Sequence, residues 1–110
     1  MSDGAGVVGS NITFTCISPL KNCLEMIWSK RINKRRTVDI FNTYKGIYPS
    51  DKYIVENSTV GCLLTVKHIQ LNDAANYTCK IMISDTVYTE SAQLYAFGKS
   101  YFDYFTAIIK

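Results

Sequence analysis

Asp73-Ala74-Ala75-Asn76-Tyr77-Thr78-Cys79, in the last third of a 110-residue chain, is the stretch on which the fold turns. It reads D-x-A-x-Y-x-C and runs on into Lys80-Ile81-Met82-Ile83. Tyr77, Cys79, Ile81 and Ile83 occupy alternate positions, so one side of a strand is apolar and the other carries Asn76, Thr78 and Lys80. Just upstream, Cys62, Leu64 and Val66 share one face of another strand, and Ile69 caps the core before the turn at Leu71-Asn72-Asp73. Further back, Ile12, Phe14 and Cys16 alternate with Asn11, Thr13 and Thr15, and Met26 and Trp28 alternate with Glu25, Ile27 and Ser29. Thr37 to Phe41 and Lys52 to Val55 read as two more strands. Downstream, Ser84-Asp85 turns the chain into a strand from about Tyr88 to Phe97, with Ala92, Leu94 and Ala96 inward. Short strands broken by turns, with no helical period before the C-terminus, predict an all-β, two-layer domain.

The order Cys16…Trp28…Cys79, with Tyr77 two residues before the second cysteine, resembles the V-set branch of the immunoglobulin superfamily, over about residues 5 to 97. The resemblance implies an immunoglobulin-like antiparallel β-sandwich spanning residues 1–97, with 98–110 as a C-terminal extension or linker. It implies a Cys16–Cys79 disulfide between strands B and F in opposite sheets. Trp28 on strand C would pack against that bridge, and the Tyr77 hydroxyl would bond backbone upstream. It also implies an ion pair from Asp73 to a cation at the start of strand D; Lys52 stands there, where the family more often has Arg. The stretch from Trp28 to Lys52 leaves room for C′ and, between Asn42 and Asp51, a short C″. That favours a V-like over a constant-type domain, with an intermediate-set domain as the nearest alternative.

Cys23 and Cys62 depart from this pattern. Four cysteines allow three connectivities. In such a sandwich Cys23 lies in the B–C loop and Cys62 at the start of the neighbouring strand E, at the same end, so a Cys23–Cys62 bridge is expected beside Cys16–Cys79, each worth about 2–4 kcal/mol. Two free thiols are the alternative. A zinc site fits poorly, because the separations of 6, 38 and 16 residues contain no C-x-x-C knuckle and His68 is the single histidine.

Two disulfides imply an oxidising compartment, secreted or at the cell surface. Three sequons agree: Asn11-Ile12-Thr13, Asn57-Ser58-Thr59 and Asn76-Tyr77-Thr78. Asn57, in the D–E turn, is the most accessible; Asn11 and Asn76 sit at strand starts and should point outward. No apolar run reaches the roughly 18 residues of a membrane span, and residues 1–6 lack a leader's apolar region, so Met1 reads as an expression start on a trimmed ectodomain. Membrane attachment would come only through segments outside this sequence.

Catalytic patterns are missing: there is no G-x-S-x-G, no H-E-x-x-H and no phosphate-cradling glycine loop, and Asp39, Asp51 and Asp73 are scattered. A non-enzymatic domain without cofactor or metal is expected. The net charge of +3 is mild. Lys30, Arg31, Lys34, Arg35 and Arg36 form a basic run on the C–C′ hairpin, read as a solvated turn or as a site for an acidic partner or polyanion. The expected compartment and the lack of interleaved aromatics argue against nucleic acid.

Ile27 and Met82 point outward by parity, with Lys80, Gln93 and Tyr95 on the same sheet. In V-set receptors and ligands the usual docking surface is the face of strands C (around Met26 and Trp28), C′ (Thr37 to Phe41), F (Asn76 to Ile83) and G (about Tyr88 to Phe97), so these five residues are the expected contacts for a protein partner on another cell or in solution, extended by the F–G turn, Ser84 to Tyr88. The tail's Tyr101, Phe102, Tyr104, Phe105, Ile108 and Ile109 fit a helical stripe and tolerate a strand. Lys, Asn, Ile and Tyr supply 36 of the 110 residues, which suggests an AT-rich coding sequence such as that of a virus copying a host receptor or ligand. Homophilic adhesion through a dimer on the same face, and polyanion binding, are the two other functions in view.

Overall fold

The computed structural model describes residues 1–17 and 22–99. Among these described residues eight strands make two sheets: β1 (Gly4–Val7), β2 (Ile12–Ile17), β3 (Met26–Asn33), β4 (Arg36–Asn42), β5 (Tyr53–Asn57), β6 (Gly61–Val66), β7 (Ala75–Ile83) and β8 (Thr86–Phe97). One sheet has the order β1-β8-β7-β3-β4 and the other β2-β6-β5. All pairings are antiparallel except β1 with β8, which is parallel. The layers face each other across a core of Phe14, Cys16, Met26, Trp28, Leu64, Val66, Ile69, Tyr77, Cys79 and Leu94, all buried. Phe14 and Tyr77 stack across it at 5.3 Å between ring centres. This is a β-sandwich; the alternation picked out most of the inward residues, but not Ile40 of β4, and Ile12, Ile83 and Ala96 are only part-buried.

Two ends matter below. The head holds the turn at Ser84-Asp85 and residues 22–25; the foot holds the β3–β4 turn and the 3₁₀ turn Leu71–Asp73. The β3–β4 hairpin is longer than the polar run suggested. Pairing continues to Asn33↔Arg36, which leaves Lys34-Arg35 as the turn. The Asn33 side-chain oxygen accepts the Arg35 N–H there at 2.8 Å.

The expected short strand between Asn42 and Asp51 does not form. Only an isolated bridge, Asn42↔Ile47, lies there. The buried Asn42 side chain explains why. Its carboxamide oxygen accepts the N–H groups of Tyr44 and Lys45 at 2.9 and 3.1 Å, which bends the chain back at once. Gly46 completes the reversal at φ +67, a conformation open to glycine. The outer edge of β4 is therefore the edge of the five-stranded sheet. The tail expectations for Tyr101, Phe102, Tyr104, Phe105, Ile108 and Ile109 lie outside the described residues.

Candidate partner-binding face

The scaffold behind the face rests on sulfur and one carboxylate. Cys16 and Cys79 are bonded across the core, joining β2 to β7, and Cys23 and Cys62 are bonded at the head. Gly61 permits the second bridge: a Cβ there would strike the Cys16 carbonyl oxygen, so any larger residue would push β6 off β2. Trp28 is fully buried, and its indole N–H points at the Cys62 sulfur, 3.4 Å away. A tryptophan bonded to the second disulfide as well as packed near the first was not foreseen from the sequence. The order of residues gives no sign of it.

At the foot Asp73 is buried and fully engaged. Its carboxylate accepts the Lys52 ammonium at 2.7 Å and the Gln70 N–H at 2.7 Å, with Lys30 at 3.8 Å. Its backbone carbonyl accepts the Tyr77 hydroxyl at 2.7 Å. Burial, then the neighbouring Tyr53 and the Asp73 charge, raise the Tyr77 hydroxyl well above the usual tyrosine range. Tyr53 is raised by burial and by Asp73. Sequence reasoning missed Lys30. It belongs to a basic run, and only the cross-strand register Lys30↔Tyr77 brings it to Asp73.

The outer face of the five-stranded sheet is ordered in rows. From the head, Met82 pairs with Val87; then Lys80 pairs with Thr89 on one side and Ile27 on the other; then Thr78 pairs with Ser91 and Ser29; then Asn76 pairs with Gln93. Tyr95 follows, beside Ala5 of β1. The five expected contact residues therefore do not form one cluster. Ile27, Lys80 and Met82 stand together at the head, joined by Val87, which is 56% exposed. Gln93 and Tyr95 stand at the foot. Eight residues of β8 separate Val87 from Tyr95, about 27 Å of strand. The row between them is polar, with the Thr78 and Ser91 hydroxyls 2.9 Å apart. Val87 falls within the segment Ser84 to Tyr88 expected to extend the face as a turn; it stands instead on the strand, because β8 already begins at Thr86.

The basic hairpin is partly committed to the fold. The Arg31 guanidinium donates to the carbonyls of Asn33 and Lys34 at 3.2 and 3.0 Å, and Lys30 donates to the Asn72 carbonyl at 3.1 Å. Lys34, Arg35 and Arg36 remain exposed at the tip. Of the three sequons, Asn11 is exposed at the foot of β2, its side-chain oxygen taking the His68 N–H. Asn57 is exposed at the head, its oxygen taking the Cys23 N–H. Asn76 lies on the outer face itself.

Cys16, Cys79 and Glu90 are the group of potential metal ligands among the described residues, but both sulfurs are bonded to each other and offer no thiolate. Among the same residues no helix is long and apolar enough to cross a membrane. No family model matches this chain, and no curated protein matches it in sequence.

Proposed function

We propose that this chain is an immunoglobulin-type recognition domain of the V-set, working outside the cell, which binds a protein partner through the head half of its five-stranded sheet. The observation that carries the reading is the outward cluster of Ile27, Met82 and Val87 beside Lys80 on three adjacent strands. Apolar anchors ringed by polar groups are where binding energy concentrates in protein interfaces. The V-set assignment is supported by the parallel β1–β8 pairing, by β4 following β3 at the sheet edge, and by Trp28 behind the Cys16–Cys79 bridge. Two disulfides in so small a domain suit an oxidising compartment. The lean toward Lys, Asn, Ile and Tyr supports a viral mimic or decoy of a host surface protein as its origin.

Screening the domain against an array of cell-surface ectodomains identifies the partner. Ile27→Asp and Met82→Asp are then expected to abolish binding while the domain still folds, since both side chains face outward, though each is half-buried and its loss lowers the melting temperature somewhat. Binding that survives both would move the site elsewhere. Sedimentation that shows self-association with rising concentration would redirect the same face to homophilic adhesion.

A further inference from the structure

We propose that Asn76 carries an N-linked glycan that covers the foot half of the outer face and confines the partner to the head half. The confinement of the partner rests on the docking reading above; the glycan and the surface it covers stand without it. Asn76 has the sequon on an outward position of a central strand, in line with Thr78, Lys80 and Met82. Its side-chain oxygen accepts the hydroxyl of Thr78, the sequon's own threonine, at 3.4 Å. Its amide nitrogen has no hydrogen bond among the described residues, so the atom that would carry the sugar is uncommitted.

Register decides what the glycan covers. Gln93 is the direct partner of Asn76. Directly opposite side chains lie about 5 Å apart, and Tyr95, on the diagonal, about 7–8 Å. Lys80 and Met82 are four and six residues along β7, about 13 and 20 Å away. Asn76 also opens on a shallow hollow of about 570 Å³ walled by Arg31, Ile32, Lys34, Ser91 and Gln93, which gives the first sugars a seat. The other two sequons differ: Asn11 precedes β2 and Asn57 ends β5, both strands of the three-stranded sheet, so they leave the outer face clear.

The modification needs a lipid-linked oligosaccharide diphosphate as donor, which the secretory pathway supplies. The Asn76 Nδ2 bonds to C1 of the first sugar and loses a proton to base. The C1–O bond to the diphosphate breaks, and the lipid diphosphate leaves. Attachment to the nascent chain precedes the burial of Tyr77.

The test uses the chain secreted from a eukaryotic host. Peptide mass spectrometry is expected to find Asn76 glycosylated. Hydroxyl-radical labelling is expected to oxidise Tyr95 less than in Asn76→Gln, with Met82 oxidised alike in both. Thr78→Ala removes the sequon and keeps Asn76, so it is expected to uncover Tyr95 in the same way if Asn76→Gln is not secreted. Thr59→Ala, which removes the Asn57 sequon, is expected to leave Tyr95 as protected as before. An unoccupied Asn76, or equal labelling of Tyr95 with and without the glycan, overturns the proposal and leaves the docking face as described. Survival of binding in both Ile27→Asp and Met82→Asp overturns the docking face and leaves the glycan as described.

Discussion

At the foot of the sandwich, Asp73 gathers Lys52, Lys30 and the Gln70 N–H, and its carbonyl holds the Tyr77 hydroxyl. At the head, the Cys23–Cys62 bridge does the tying, and Ile17, Leu24, Tyr44, Val60, Val87 and Tyr88 are all about half exposed or more. The foot satisfies its polar groups internally and shows solvent a charged tip, with Ile32, Leu71 and Tyr95 exposed around it. A covalent bridge places fewer demands on neighbouring side chains. At the head it leaves them free to be apolar and outward, and the proposed docking surface lies there. If that contrast is right, breaking either tie should damage stability, while only changes at the head should alter how fast the partner dissociates.

The largest effect is expected from Cys23→Ser combined with Cys62→Ser. Closing a loop of 39 residues limits the unfolded chain, and its loss should cost about 2–4 kcal/mol. For a domain of this size that is a fall in melting temperature of roughly 10–20 °C. The far-ultraviolet circular dichroism should stay β-type, because Cys16–Cys79 still joins the sheets. A double variant as stable as the parent would mean that the head is held by packing alone.

Asp73→Ala comes next. Removing one partner of a fully buried ion pair costs about 3–5 kcal/mol. Lys52 is 30% exposed, so roughly 2 kcal/mol is the expected loss in urea unfolding. Lys30→Ala should cost at most about 1 kcal/mol, because its ammonium stands 3.8 Å from the carboxylate and is partly hydrated. Equal losses for Asp73→Ala and Lys30→Ala would make Lys30, and not Lys52, the principal cation.

The same two ends differ in how legible they were. Cys16, Trp28, Tyr77, Cys79 and the Lys52–Asp73 pair could be placed because the resemblance carried by the D-x-A-x-Y-x-C run implies a role for each. Cys23–Cys62 needed the sandwich topology first. Parity told which side of the sheet Ile27, Met82, Gln93 and Tyr95 take, but not how far along it they stand. Height on a sheet depends on register across β3, β7 and β8, which alternation within one strand does not specify. Lys30 stayed hidden for the same reason. The short strand expected after Asn42 failed on a single buried carboxamide. Composition there signals turns, and does not reveal that one side chain takes two backbone amides.

The smallest change in stability should follow Arg35→Glu with Arg36→Glu. Both side chains are exposed at the turn, and neither makes a hydrogen bond or ion pair through its side chain among the described residues. Surface substitutions of this kind usually stay within about 0.5 kcal/mol. The informative measurement is association with the partner. The hairpin tip is at the foot, several rows from Ile27 and Met82, so it lies outside the proposed contact. Charges so placed steer approach and do not anchor the complex. Reversal should therefore change the association rate and leave the dissociation rate alone, and the difference should fade as salt shortens the Debye length to about 8 Å near physiological ionic strength. A changed dissociation rate would put Arg35 or Arg36 inside the interface. It would also extend the partner across the surface assigned to the Asn76 glycan, and the contrast between head and foot would then be lost.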